Sequence, residues 1–106
     1  MKIFNLKDMV GGWIIGNFDP SLFKTNDVEI SIKKYKAEDY DSSHYHKIAT
    51  EYTVIVDGQV EMSGNIYNKD DILIISPGEV TDFRAITNST TVVIKIPGAN
   101  NDKYLS

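Results

Sequence analysis

Most of the chain alternates apolar and polar positions with period two. In Val28-Glu29-Ile30-Ser31-Ile32-Lys33, this puts Val28, Ile30 and Ile32 on one face of an extended segment. The phase blurs at Lys33-Lys34, where a bulge is expected. Residues 51–56 are β-branched and aromatic, and Asp57-Gly58 supplies a turn that predicts a hairpin with Val60-Glu61-Met62. Ser63-Gly64-Asn65 predicts a second tight turn leading into Ile66-Tyr67. After the turn at residues 68–71, Ile72-Leu73-Ile74-Ile75 predicts a buried strand, broken by Ser76-Pro77-Gly78. Residues 80–86 and 90–96 are the last two candidate strands, and Pro97-Gly98 ends the pattern. Short strands with turn signals at this spacing predict an all-β sandwich or barrel. No segment after Lys24 has a helical period.

The first residues differ. Phe4, Leu6, Met9, Val10, Trp13, Ile14, Ile15, Phe18, Leu22 and Phe23 make an apolar stretch interrupted by Gly11, Gly12, Gly16 and Pro20. Two roles fit it: a segment covering one end of the barrel, and a dimer contact, since large aromatics favour interfaces. The expected organisation is residues 1–27 as this covering or contact segment, 28–98 as the barrel and 99–106 as a polar tail.

Composition narrows the chemistry. The 106 residues suit one domain, and 42% hydrophobic with 25% charged residues is globular usage. The absence of Cys excludes thiol nucleophiles, disulfides and Cys-bound zinc or iron–sulfur clusters. A net charge of −4, with Lys33-Lys34-Tyr35-Lys36 as the one short basic run, argues against a nucleic-acid partner. No apolar run approaches the roughly 18 residues of a membrane span, and the start of the chain is too broken for a signal-peptide core. The expected setting is the cytoplasm.

The chain has only two His, His44 and His46. Positions i and i+2 of a strand point the same way, so both imidazoles can reach one point. The four residues between His46 and Glu51 suffice to turn a corner and bring Glu51 beside them. Two His plus one carboxylate is a ligand set used by Fe(II), and Mn, Ni or Zn would also accept it. The alternative is that the three side chains form the polar lining of a small-molecule pocket. Thr53 and Ile55 lie in phase with Glu51 and are candidate lining residues. Tyr45, Lys47 and Arg84 are expected to face outward. There is no Gly-rich phosphate loop, no nucleophile elbow and no Ser/His/Asp set.

His44, His46, Glu51 and Gly58 stand at the spacing of the first motif of the cupin superfamily, His-x-His, four residues, Glu, six residues, Gly. The chain resembles that family over roughly residues 28–97. The resemblance implies a cupin-type jelly-roll β-barrel, with the apolar N-terminal segment covering it. Two departures stand out in flanking positions. Glu38 occupies the place of the Gly that usually opens the first motif. In the second motif, aligned on Gly78, Asp70 stands for the first Gly, Ser76 for Pro, Thr81 for the metal-binding His and Ala85 for Asn. Phe83 fits the usual aromatic position.

The resemblance therefore implies a divalent transition metal on His44, His46 and Glu51, with a water-filled or open position near Thr81. Thr81 and Phe83 join Thr53 and Ile55 as pocket lining, and Asp82 is a reserve ligand. It further implies a small polar metabolite, such as a sugar or small acid, and isomerase, epimerase, lyase or dioxygenase chemistry. A non-catalytic binding module with a degenerate metal site is the alternative. Cupin dimers are common, so a homodimer is expected under either reading. No catalytic acid or base is identified beyond this set.

Overall fold

A computed structural model describes all residues from Met1 to Ser106. Ten strands follow a short 3-10 turn at Leu6–Asp8: β1 Trp13–Ile15, β2 Glu29–Tyr35, β3 Tyr40–His46, β4 Thr50–Asp57, β5 Gln59–Met62, β6 Asn65–Asn68, β7 Ile72–Ile75, β8 Thr81–Ala85, β9 Ser89–Ile96 and β10 Lys103–Leu105. They form two five-stranded sheets, β1-β2-β9-β4-β7 and β10-β3-β8-β5-β6, and every pairing is antiparallel. The all-β expectation holds. No helix is long and apolar enough to cross a membrane.

Several local expectations change. The β2–β9 ladder runs unbroken from Glu29↔Lys95 to Tyr35↔Ser89, so there is no bulge at Lys33-Lys34. The strands on either side of Asp57-Gly58 do not form a hairpin, because β4 and β5 belong to different sheets. Gly58 instead carries the chain between sheets. Its φ is +88°, and a Cβ there would meet Asn88 O and Ser89 Oγ, so only glycine passes this point. The Ser63-Gly64 turn does close a hairpin, pairing Met62 with Asn65. The segment read as a polar tail carries β10, which pairs with β3. The apolar N-terminal stretch adds β1 to the edge of the first sheet beside β2, and Ile3, Phe4, Val10 and Phe23 stay exposed.

The interior is more polar than a typical core. Eight buried residues are apolar and ten are polar, so the lumen accommodates hydrogen-bonding groups as well as packing. Ile55, Val60, Met62, Ile75, Phe83 and Ala85 form the apolar cluster, with Tyr35, Tyr67 and Leu73 packed against it. The inward residues grade from polar to apolar along two strands: Glu51, Thr53, Ile55 on β4 and Thr81, Phe83, Ala85 on β8.

Val28, Ile30 and Ile32 do share a face, but it is the outer one. Ser31 faces inward on β2, while Lys33 and Tyr35 line the cavity. Ile72-Leu73-Ile74-Ile75 is likewise not a buried strand. It lies at a sheet edge, with Ile72 67% and Ile74 63% exposed.

Candidate metal and ligand site

A cavity of about 290 Å3 opens among residues of both sheets. His44, His46, Glu51, Thr53, Thr81 and Phe83 line it, as the alternation anticipates. Ile55 does not line it; it is fully buried in the apolar cluster deeper in the barrel. Asp82 reaches the lining, but its Oδ1 accepts the Ser63 N–H at 2.8 Å and so secures the β5–β6 hairpin. Arg84 faces outward to Glu38 and Glu61. Tyr45 stacks on Tyr104, and Lys47 lies over the same ring.

Local devices position the two imidazoles. The β3–β8 register shifts between Asp41↔Phe83 and His44↔Thr81, so β3 carries one extra residue just before His44. A bulge of this kind re-aims side chains. Here it lets both Asp41 and His44 line the cavity despite their odd spacing. After His46, the chain crosses to the other sheet through residues 47–49. Asp102 fixes that crossing: its carboxylate accepts the N–H groups of Lys47, Ile48 and Ala49, each at 3.0 Å. Burial raises the Asp102 pKa, but these three bonds outweigh it and hold the carboxyl below its ordinary value. Gly78 N–H donates to His46 O at 2.6 Å and pins the end of β3.

Glu51 consequently faces His46 from the opposite sheet, with Oε1 4.0 Å from Nδ1. The other carboxylate oxygen accepts the Thr53 hydroxyl at 2.8 Å. The two imidazole rings stand edge to face with centroids 5.5 Å apart. His44 Nδ1 lies 2.8 Å from Ser42 O. A carbonyl oxygen only accepts, so Nδ1 is the donor in this contact, and in a neutral imidazole the lone pair is then on Nε2. His46 Nε2 is buried without a hydrogen-bond partner. Burial, with Lys95 and His44 nearby, lowers the His46 pKa against the pull of Glu51, which favours the neutral, ligating form.

These observations test the residues against a divalent ion. The donor types and the lowered His46 pKa suit it. The third donor is not closed: no three His, Asp or Glu groups converge tightly enough to hold an ion in this conformation, and Glu51 is engaged by Thr53. Thr81, directly opposite His44 in register, occupies the position expected to be open or water-filled.

The pattern of alternation missed several lining residues. Trp13, Lys33, Tyr35, Asp41, Met62, Thr91, Val93 and Lys95 all face the cavity. The odd-numbered phase of β2 and β9 was the available signal, but their apolar residues occupy the other face. Burial, with Asp41 and Glu51 nearby, pushes the Tyr35 hydroxyl pKa up to about 12, so it stays protonated.

No family model matches the sequence, and no curated protein matches it. Solved structures do match. A conserved protein with a double-stranded β-helix domain from Klebsiella pneumoniae superposes with a TM-score of 0.74 at 22% identity, over 99% of this chain and 91% of that one. A cupin-2 domain containing protein from Shewanella frigidimarina gives 0.60 at 14% identity, over 68% and 72%. DMSP lyase DddQ from Ruegeria pomeroyi gives 0.73 at 17% identity, over 89% of this chain and 49% of the lyase. The chain thus has the cupin, or double-stranded β-helix, fold. This is the architecture that the His44, His46, Glu51 and Gly58 spacing implied.

Proposed function

We propose that the barrel binds a small polar metabolite in its lumen and holds a divalent transition metal, Fe, Mn, Ni or Zn, on His44, His46 and Glu51. The observation that carries this is the buried, unpartnered Nε2 of His46, beside a His44 whose Nε2 lone pair is left free by the Ser42 contact. A buried polar nitrogen without a partner is costly, and a ligand or ion would satisfy it. A bound ion would supply Lewis-acid polarisation of a ligand oxygen. Thr53 orients Glu51, which serves as third donor or as a base, and Thr81 offers its hydroxyl to the ligand opposite His44. The fold is shared with a DMSP lyase, so lyase chemistry is one activity to test, beside the isomerase and epimerase chemistry that the motif resemblance implies.

The second reading is a non-catalytic binding module. The unclosed three-donor set and the Thr53 hold on Glu51 favour it. Titration with Co2+, followed by visible absorption, tests the metal reading. Saturation near one equivalent, lost in His46→Ala and weakened in Glu51→Gln, is expected. No response in the wild-type protein overturns it. Turnover across a sugar and keto-acid panel separates enzyme from binding module.

We also propose a homodimer built on the outer face of the first sheet. Two rows of apolar side chains cross four strands there in register: Ile32, Val92, Val54, Ile72 and Ile30, Ile94, Tyr52, Ile74. Four strands at ~4.8 Å spacing and two rows about 6.8 Å apart give a footprint on the order of 260 Å2. An uncharged apolar patch of this kind would form the centre of a contact between copies, whose standard size is roughly 800 Å2 per partner. None of the eight side chains is charged, so the face is complementary to itself, as a two-fold contact requires.

A further inference from the structure

The cavity contains two cations that form no ion pair. Lys33 and Lys95 line it from β2 and β9, and each ammonium lies 4.9 Å from the centroid of the Trp13 ring. Lys103, by contrast, is paired with Asp41 at 3.2 Å. Register places Lys95 between Glu29 and Glu51, yet neither carboxylate comes within ion-pair distance of it. Glu29 instead accepts the Ala99 N–H, and Glu51 accepts the Thr53 hydroxyl. Lys33 spends one donor on Gly11 O at 3.3 Å and keeps the others. Thr91, opposite Lys33 in register, is buried on the same inner face.

We infer that Lys33 and Lys95, held against the Trp13 ring, form a subsite for the carboxylate of a small organic acid, next to the His44–His46 pair. Two partly buried ammonium groups of like sign that share one cavity disfavour each other, and an anion in that cavity relieves the repulsion. Lysine donors bind carboxylates by charge-assisted hydrogen bonds. The cavity of about 290 Å3 has room for a small organic acid. This inference rests on reading the lumen as a ligand pocket, but not on the metal.

Trp13 is the only Trp in the chain, so its fluorescence reports this subsite directly. Lactate is the probe, and its neutral isostere lactamide is the control. Lactate should give a saturable change in Trp13 emission, and lactamide should give none. Lys33→Met and Lys95→Met keep the aliphatic stem on the ring and should each weaken lactate binding about tenfold or more. Lys36→Met, at an exposed position, should leave it unchanged. Equal binding of lactamide, tighter binding of inorganic phosphate, or unaltered binding in both lysine variants overturns the inference. Metal content measured on the same samples keeps the two readings apart. A metal-loaded protein deaf to lactate removes only the subsite, and a lactate response without metal removes only the metal.

Discussion

At the scale of the residue, two departures from the cupin motifs keep the backbone that the motifs require. Glu38 and Asp70 stand where glycine is usual, and both have left-handed φ, +77° and +75°. A side chain in that region costs on the order of 1 kcal/mol. Glu38 recovers part of this through its 3.3 Å contact with Arg84. No hydrogen bond of the Asp70 side chain offsets its conformation. Asp70→Gly should therefore stabilise the protein by up to about 0.5 kcal/mol in urea unfolding, after the entropy lost with glycine is subtracted.

Asp102 is the opposite case. It lies in the segment read as a polar tail, and nothing in its neighbourhood along the chain shows that it holds residues 47–49. Those partners are 53 to 55 positions away, a separation that local pattern does not encode. Asp102→Ala should destabilise by about 2 kcal/mol, because Ala49 N–H is buried while water can reach the exposed Lys47 and Ile48. The Asp102 pKa is depressed in the folded state, so its contribution is complete above the unfolded value near 3.8 and is lost as pH falls through the folded value. The stability gap between wild type and Asp102→Asn should hold from pH 7 to about 4 and narrow below that. A gap independent of pH down to 2 would contradict the charge-assisted clamp.

At the scale of the element, period-two alternation located the strands well but did not decide which face looks inward. On β2, β4, β7 and β9 the strongest apolar series, including Ile30, Val54, Ile74 and Ile94, faces outward. The lumen takes Ser31, Lys33, Thr53, Thr91 and Glu51 instead. A barrel that keeps a polar lumen reverses the usual inference from pattern to burial. The same reversal identifies the self-complementary outer face. Ile74→Lys changes a side chain that is 63% exposed and should leave folding intact while converting a dimer to a monomer by light scattering. A wild-type monomer at all accessible concentrations would contradict that interface. The bulge before His44 escaped the sequence for a related reason: Asp41-Ser42-Ser43 has no residue that only a bulge would accept.

At the scale of the whole molecule, the spacing of His44, His46, Glu51 and Gly58 made the fold legible, and the two sheets have the expected jelly-roll character. The assignment of each strand to a sheet was not legible. Gly58 looks like a hairpin turn locally, and only its approach to Asn88 and Ser89 shows it to be a crossing between sheets. The sequence showed that His44, His46 and Glu51 share a cavity, but not the lysines and tyrosine that line it with them, nor the direction of the donor atoms. Register and alternation place Glu51 opposite His46, whereas the Thr53 hydroxyl sets the direction of its carboxylate.

The most direct measurement of the central claim is elemental analysis by mass spectrometry of protein purified without chelator, wild type beside His46→Ala. The account predicts close to one transition metal per wild-type chain and essentially none in the folded variant. Metal-free wild type after growth and purification with Fe, Mn, Ni and Zn supplied, or equal loading of the two proteins, would contradict it.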